Sequence, residues 1–305
     1  MAVSYPPILD QLGFGPPLGD HPVGGGCIAD ARCFEFKNGT RVFVKATRTS
    51  TNQFRREAEG LKALQECGAV RVAEVLAVDS SALVLEWIES ATKKRQFFDI
   101  LGLQLAQMHL CLGNTFGFPH DNYIGATPQP NKPVDGAWAE TGSESEQERG
   151  KGDSWARFFL ERRLRFQAEL AEKNGHGSEL LRLLDQTSGQ VVDLLAAADE
   201  AASLLHGDLW GGNVISDERG EPCLIDPAVY YGHRETDLAM TRLFGGFGPE
   251  FYHAYEEAWP LTAGHEERLP LYQLYHLLNH LNLFGSAYYE RCRQILRHYA
   301  AGTGP

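Results

Sequence analysis

The sequence predicts an α+β protein of two lobes, an antiparallel sheet with one helix followed by a larger and mostly helical part. Three observations predict it. The 305 residues exceed the roughly 100 to 200 of a single domain. Strand-like runs, CFEF, RVFVKA and ALVLEWI, crowd the first third of the chain. Beyond a polar, Pro/Gly/Ser-rich connection over residues 126 to 153, the pattern turns helical, from Trp155 through Leu195 and again from Thr236 onward. The expected lobes are residues 1–89 and 90–305.

Residues 33 to 45 alternate apolar and polar side chains around Asn38-Gly39, a strong short-range hairpin signal, so CFEFK and TRVFVK are expected to pair antiparallel. Lys45 then ends a strand. Residues 53 to 66 read as a helix with Phe54, Leu61 and Leu64 on one face, and Glu57 falls on that same face. A carboxylate directed into a core is costly unless paired, and the nearest upstream cation on a buried-looking strand is Lys45. Taken alone, the two residues could equally be separately solvated.

Composition narrows the function classes. With 43% hydrophobic and 22% charged residues the chain reads as an ordinary folded protein. A net charge of −12 argues against broad attraction to nucleic acid or to anionic lipid, and any phosphate must be held by a local site. The first residues lack the basic and long apolar regions of a signal peptide, and no run of about 18 apolar residues follows, so a cytoplasmic location is expected. Cys27, Cys33, Cys67, Cys111, Cys223 and Cys292 show no CxxC spacing, which predicts neither a zinc knuckle nor a disulfide framework; most are expected to be reduced, several as core fillers.

The richest segment is LLHGDLWGGNVISDERGEPCLIDP, residues 204 to 227. NVIS and PCLID flank a polar turn and read as a second hairpin. Pairing Ile215 with Leu224 would set Asn213 opposite Asp226 at its open end, giving two hard oxygen donors of the kind Mg2+ accepts beside waters and phosphates. Asp208 precedes Asn213 by five residues in a glycine-rich turn, placed to orient and deprotonate an attacking hydroxyl. An HGD tripeptide by itself is usually a plain turn; followed by GGN and by ID after a hairpin, it matches a phosphoryl-transfer constellation.

These residues resemble the fructosamine kinase (ketosamine 3-kinase) family, which belongs with aminoglycoside phosphotransferases and choline kinases in the protein-kinase-like superfamily. The resemblance also runs through VFVKA, FRREAEGLKAL, FGFPHDNYIGATPQPN, DPAVYYGHRETDLAM and LYQLYHLLNHLNLFGSAY. It implies a bilobal protein-kinase-like fold with an N-terminal nucleotide-binding lobe and a C-terminal catalytic and substrate-binding lobe, using ATP and Mg2+. By the same resemblance Asp208 is the catalytic base, Asn213 and Asp226 are the magnesium ligands, and Lys45 holds the α and β phosphates with Glu57 as its partner. Gly24, Gly25 and Gly26 take the nucleotide-loop position, where no side chain blocks the backbone N–H groups, and the backbone of Glu86, Trp87 and Ile88 receives the adenine. Pro227 after Asp226 is expected to lock the metal-binding residue. The implied acceptor is the C3 hydroxyl of a ketosamine, either a small molecule or a glycated protein lysine, with deglycation as the outcome. Partners otherwise include no nucleic acid and no membrane, and the chain is a monomer or homodimer. An aminoglycoside- or choline-type acceptor, or a nucleotide-binding pseudokinase, are the alternatives.

For the acceptor, Asp121, Asn122, Tyr123, Gln129 and Asn131 form a dense polar set suited to sugar hydroxyls, although Asp and Asn also simply form turns. Trp210 could face the sugar or pack under the loop. His276 and His280 stand four apart as HLLNH without the glutamate of HExxH, which favours a packed or substrate-facing His276 over zinc. Tyr272, Tyr275, Leu278 and Leu283 read as core, and Asp237 as a brace for the catalytic loop. Cys27, inside the glycine run, is a candidate for redox control of nucleotide binding.

Overall fold

A computed structural model describes residues 6–24, 30–47, 51–134, 155–198 and 200–301. The N-terminal sheet contains β1 (Gly19–Pro22), β2 (Asp30–Glu35) and β3 (Arg41–Ala46), and helix α1 (Gln53–Cys67) follows. Next come β4 (Arg71–Val72), β5 (Val75–Val78) and β6 (Ala82–Glu86), giving an antiparallel sheet of order β1-β2-β3-β6-β5. The Asn38-Gly39 turn joins β2 to β3 as expected, with Gly39 at φ 81°, and Cys33 opposes Phe43. Period-two alternation divides the faces. Val42, Val44, Ala82 and Val84 bury against Ile8 and Leu9 on one side, while Leu83 and Leu85 join Phe54, Leu61 and Leu64 of α1 on the other. Lys45 is on that second face.

The chain then enters α2 (Phe97–His109), β7 (Leu112–Gly113) and the hairpin β8 (Asn122–Ile124) and β9 (Thr127–Gln129). Helices α3 (Trp155–Phe159) and α4 (Phe166–Ala171) are joined through a wide-turn segment, Leu160–Arg165, and lead to α5 (Glu179–Ala196). Strand β10 (Ala202–Leu205) opens the segment richest in motifs, followed by β11 (Val214–Ser216), β12 (Pro222–Leu224) and β13 (Tyr230–Gly232). The C-terminal helices are α6 (Glu235–Leu243), α7 (Pro249–Ala258), α8 (His265–Phe284) and α9 (Tyr289–Ala300). Tyr272, Tyr275 and Leu278 of α8 are buried as their spacing predicts, whereas Leu283, also expected in the core, is only half-buried. None of the described helices is long and apolar enough to cross a membrane.

Two expectations need correction. The β11–β12 register is one residue off: Val214 opposes Leu224 and Ile215 opposes Cys223, so the predicted Ile215–Leu224 pair does not form. The turn sets this. Asp217 N–H donates to Glu221 O at 2.8 Å and Gly220 takes φ 76°, so the hairpin closes on Asp217 and Glu221. Asn213 therefore opposes Ile225, whose N–H donates to Asn213 O at 3.1 Å. The second correction is a disulfide between Cys67 and Cys111, whose Cα atoms lie 6.1 Å apart. It ties the end of α1 to the chain just beyond α2, two positions 44 residues apart that only the packing of these helices makes neighbours. Cys33, Cys223 and Cys292 are buried free thiols, as expected for core fillers.

The β11–β12 turn has a checkable energetic signature. Burial works against the Asp217 charge, but the N–H groups of Glu221 and Arg219 and the Arg71 guanidinium outweigh it and hold the carboxyl at about 2. A folded-state pKa below the ordinary value contributes stability that is complete above the ordinary value and is lost as pH falls toward 2. Asp217→Asn is expected to cost about 2 kcal/mol at pH 7. Denaturant unfolding at pH 7 and pH 3 should show the gap to wild type shrinking to about half; a gap independent of pH would refute the electrostatic origin.

Candidate active site

The site is assembled where the N-terminal sheet and α1 meet the β11–β12 hairpin and α8. On α1, Glu57 faces β3 and accepts a hydrogen bond from Lys45 Nζ at 2.6 Å; the same ammonium donates to Asp226 Oδ1 at 2.7 Å. Burial would disfavour the Lys45 charge, yet the two carboxylates outweigh it and raise its pKa, so the ammonium stays protonated. Three side chains from α1, β3 and the residue pair beyond β12 thus meet at one point.

The loop that carries Asp208 leaves β10 at His206. Gly207 takes φ 81°, and a Cβ there would lie 2.1 Å from Ala228 O, so only glycine fits this approach. Asp237 at the start of α6 accepts the N–H groups of His206 (2.7 Å) and Gly207 (2.8 Å), acting as the brace expected from the sequence. Asp208 follows on the cavity wall. Burial and the nearby Asp226 charge push its carboxyl up to about 7, the range useful to a general base. Asn213 Nδ2 donates to Asp208 O at 2.8 Å and to Asp208 Oδ2 at 3.3 Å, which leaves Asn213 Oδ1 for another partner. Asp226 has φ 54°, so the ladder breaks there and its carboxylate lines the same cavity as Asn213 despite the shifted register.

That cavity, of about 880 Å3, has two ends. At one, Gly24, Phe43, Leu85, Glu86, Trp87 and Ile88 form a wall suited to a planar base. At the other, Trp210, Asn279, His280, Leu283 and Phe284 surround the approach to Asp208. Trp210 is 40% exposed and packs edge-on to Phe244; its ring also covers Gly212, where a Cβ would lie 2.3 Å from it. Asn213 Oδ1 and the second oxygen of Asp226 are hard donors on one cavity wall, a set that fits a small divalent cation completing its shell with waters and phosphate. Among the described residues no group of three or more His, Cys, Asp or Glu is arranged to hold a metal, so the HLLNH spacing assembles no zinc site there.

Other nominated residues fall elsewhere. Tyr123 and Asn122 line the cavity, but Gln129 and Asn131 are buried and do not, and Asp121, which is exposed and also absent from its wall, accepts the Asn131 N–H at 2.7 Å. His276 is buried, with burial pushing its pKa down to about 3, and it does not line the cavity. His280, one turn on, does; its Nδ1 donates to His276 O at 2.8 Å, leaving Nε2 as an acceptor. Asn279, His280 and Phe284 line the cavity without being singled out as site residues by sequence reasoning, and the only signal for them is their position beside, not within, the apolar stripe of α8. Gly25, Gly26 and Cys27 lie outside the described residues.

Comparison with known proteins now decides the family. A family model described as fructosamine kinase matches residues 16–141 and 140–301. The chain belongs to the fructosamine kinase family. A protein named probable ketoamine kinase from Synechocystis is 39% identical over 282 residues, covering 90% of this chain and 88% of that one. The chloroplastic protein-ribulosamine 3-kinase of Oryza sativa is 37% identical over 285 residues, covering 91% of this chain and 77% of that one. A crystal structure from Thermobifida fusca assigned to fructosamine-3-kinase superposes with a TM-score of 0.79 at 31% identity, over 94% of both chains. The choline kinase LicA of Streptococcus pneumoniae, at 15% identity and a TM-score of 0.62 over 96% of this chain and 97% of that one, shows the fold alone. This fructosamine kinase family member therefore has the bilobal, protein-kinase-like α+β fold expected from its sequence.

Proposed function

We propose that the protein is an ATP:ketosamine 3-phosphotransferase that starts the removal of sugar from glycated amines. The observation that carries this reading is the convergence of Lys45, Asp208, Asn213 and Asp226 on one cavity whose far end is lined by aromatic side chains. Lys45 and the backbone at Gly24 hold the phosphates, and the wall at Glu86, Trp87 and Ile88 takes the adenine. Asn213 and Asp226 would hold Mg2+, which supplies neutralisation of charge on the transferring phosphoryl group. Asp208 orients the C3 hydroxyl of the ketosamine and accepts its proton as that oxygen bonds to the γ-phosphorus. The bond from that phosphorus to the β–γ bridging oxygen breaks in line, and ADP leaves with the electron pair. Trp210 presents an apolar face to the sugar, and His280 Nε2 accepts a hydrogen bond from a hydroxyl or the amine.

The names of the relatives support a ketosamine over an aminoglycoside or an aminoalcohol. The test is ADP formation with synthetic fructose-, ribulose- and erythrulose-derived amines, free and on protein lysines, against an aminoglycoside and choline. ADP release with the ketosamines, followed by appearance of the free amine, is expected. Turnover confined to the aminoglycoside or choline would overturn the acceptor assignment.

A further inference from the structure

Asp226 is the one non-glycine residue with positive φ among the described residues, at 54°. An L-residue there is disfavoured by about 1 to 2 kcal/mol and persists only when its neighbours over-determine it. From the catalytic-loop side, His206 Nε2 pairs with Ile225 O at 3.0 Å and His206 O accepts the Ala228 N–H at 2.8 Å. The next two carbonyls are taken by side chains of the β8–β9 hairpin: Gln129 Nε2 donates to Ala228 O at 3.0 Å, and Asn122 Nδ2 donates to Val229 O at 2.7 Å.

Asn122 and Gln129 oppose each other in the hairpin, and bonds within the protein take both Gln129 N–H groups, both lone pairs of Asn122 Oδ1 and one of the two Asn122 N–H groups. Gln129 Nε2 also donates to Asn122 Oδ1 at 2.8 Å, and Gln129 Oε1 accepts from Tyr275 Oη of α8 at 2.5 Å. Asn122 Oδ1 accepts a further bond from Asn131 Nδ2 at 2.7 Å, and Asn131 Oδ1 is held by Arg163 Nη2 at 2.7 Å. The hairpin's turn reaches the other way. Gln53, the first residue of α1, donates from Nε2 to Gly125 O at 2.9 Å. One short hairpin therefore touches both the helix that carries Glu57 and the segment between Asp226 and β13, Glu57 and Asp226 being the two carboxylates that share Lys45.

We propose that the β8–β9 hairpin positions Asp226 against α1, with Asn122 and Gln129 as positioning residues for the metal site and not as sugar ligands. This rests on the reading of Asp226 as a metal ligand. Its test is ADP binding by the full-length protein, measured by calorimetry in EDTA and across a Mg2+ titration. Gln129→Leu and Gln129→Glu are expected to leave ADP affinity in EDTA within about twofold and to raise the half-saturating Mg2+ about five- to tenfold, the effect of losing the one bond, to Ala228 O, that reaches the segment after Asp226. KM for a ketosamine should stay within about twofold. Gln129→Glu keeps the acceptor for Tyr275 but turns an oxygen toward Ala228 O, so a wild-type Mg2+ response in that variant overturns the proposal. Gln53→Ala, at the partly exposed start of α1 where its side chain also lines the cavity, removes the tie to Gly125; a rise in half-saturating Mg2+ of about two- to threefold with ADP affinity in EDTA unchanged is expected, and this variant decides the matter if the buried ones fail to fold. A raised ketosamine KM with an unchanged Mg2+ response would return Gln129 to the acceptor site and sink the inference alone. Absence of Mg2+-dependent ADP binding in the wild type would sink the metal assignment with it.

Discussion

Asp208→Asn is expected to lower kcat by about 10³-fold, some 4 kcal/mol of transition-state stabilisation, with nucleotide affinity nearly unchanged. Asparagine keeps the size of the side chain and an oxygen for Asn213 Nδ2, so the loop geometry survives while the proton acceptor is lost. The same change should raise Tm in metal-free buffer, because it removes a carboxylate that burial and Asp226 make costly to ionise. Steady-state kinetics with a ketosamine and thermal unfolding in EDTA check both halves. Turnover within tenfold of wild type would remove Asp208 from the chemistry.

Asp226→Asn should be as damaging by a different route. Asparagine tolerates the left-handed backbone that Asp226 adopts, so the fold is expected to hold. It withdraws a full negative charge from both Lys45 and the cation. Mg2+-dependent tightening of ADP binding should disappear, with kcat falling by about 10³-fold or more. Nucleotide binding in EDTA should change little. Calorimetry separates this from the Asp208 variant, which retains its Mg2+ response; an unaltered response in Asp226→Asn would reject the metal-ligand role.

What could be read from the chain was written within short windows. Asn38-Gly39 predicted its hairpin because a two-residue turn needs only local backbone freedom. Glu57 was legible as an inward-facing carboxylate because helical phase is fixed over two turns, but local sequence left Lys45 and separate solvation equally open, and the family resemblance chose Lys45. Asp208 and Asn213 were legible because five residues of one loop bring them together. The polar cluster from Asp121 to Asn131 was misleading for the opposite reason. A turn-rich run of Asn and Gln has the same composition whether its amides face a sugar or a neighbouring carbonyl, and Gln129 and Asn131 turned inward.

Local periodicity and turn chemistry therefore determined, from the sequence by itself, the α+β order, the short loop that sets Asp208 beside Asn213 and the inward-facing phase of Glu57, whereas its pairing with Lys45 was implied by the family resemblance. The tertiary structure alone decided the Cys67–Cys111 link, the choice of His280 over His276 at the cavity wall, and the grip of Asn122 and Gln129 on the chain after Asp226. The physical reason is range. Propensity and hydrophobic phase act over a few residues, whereas these contacts join positions as much as 107 residues apart and exist only once whole elements have packed.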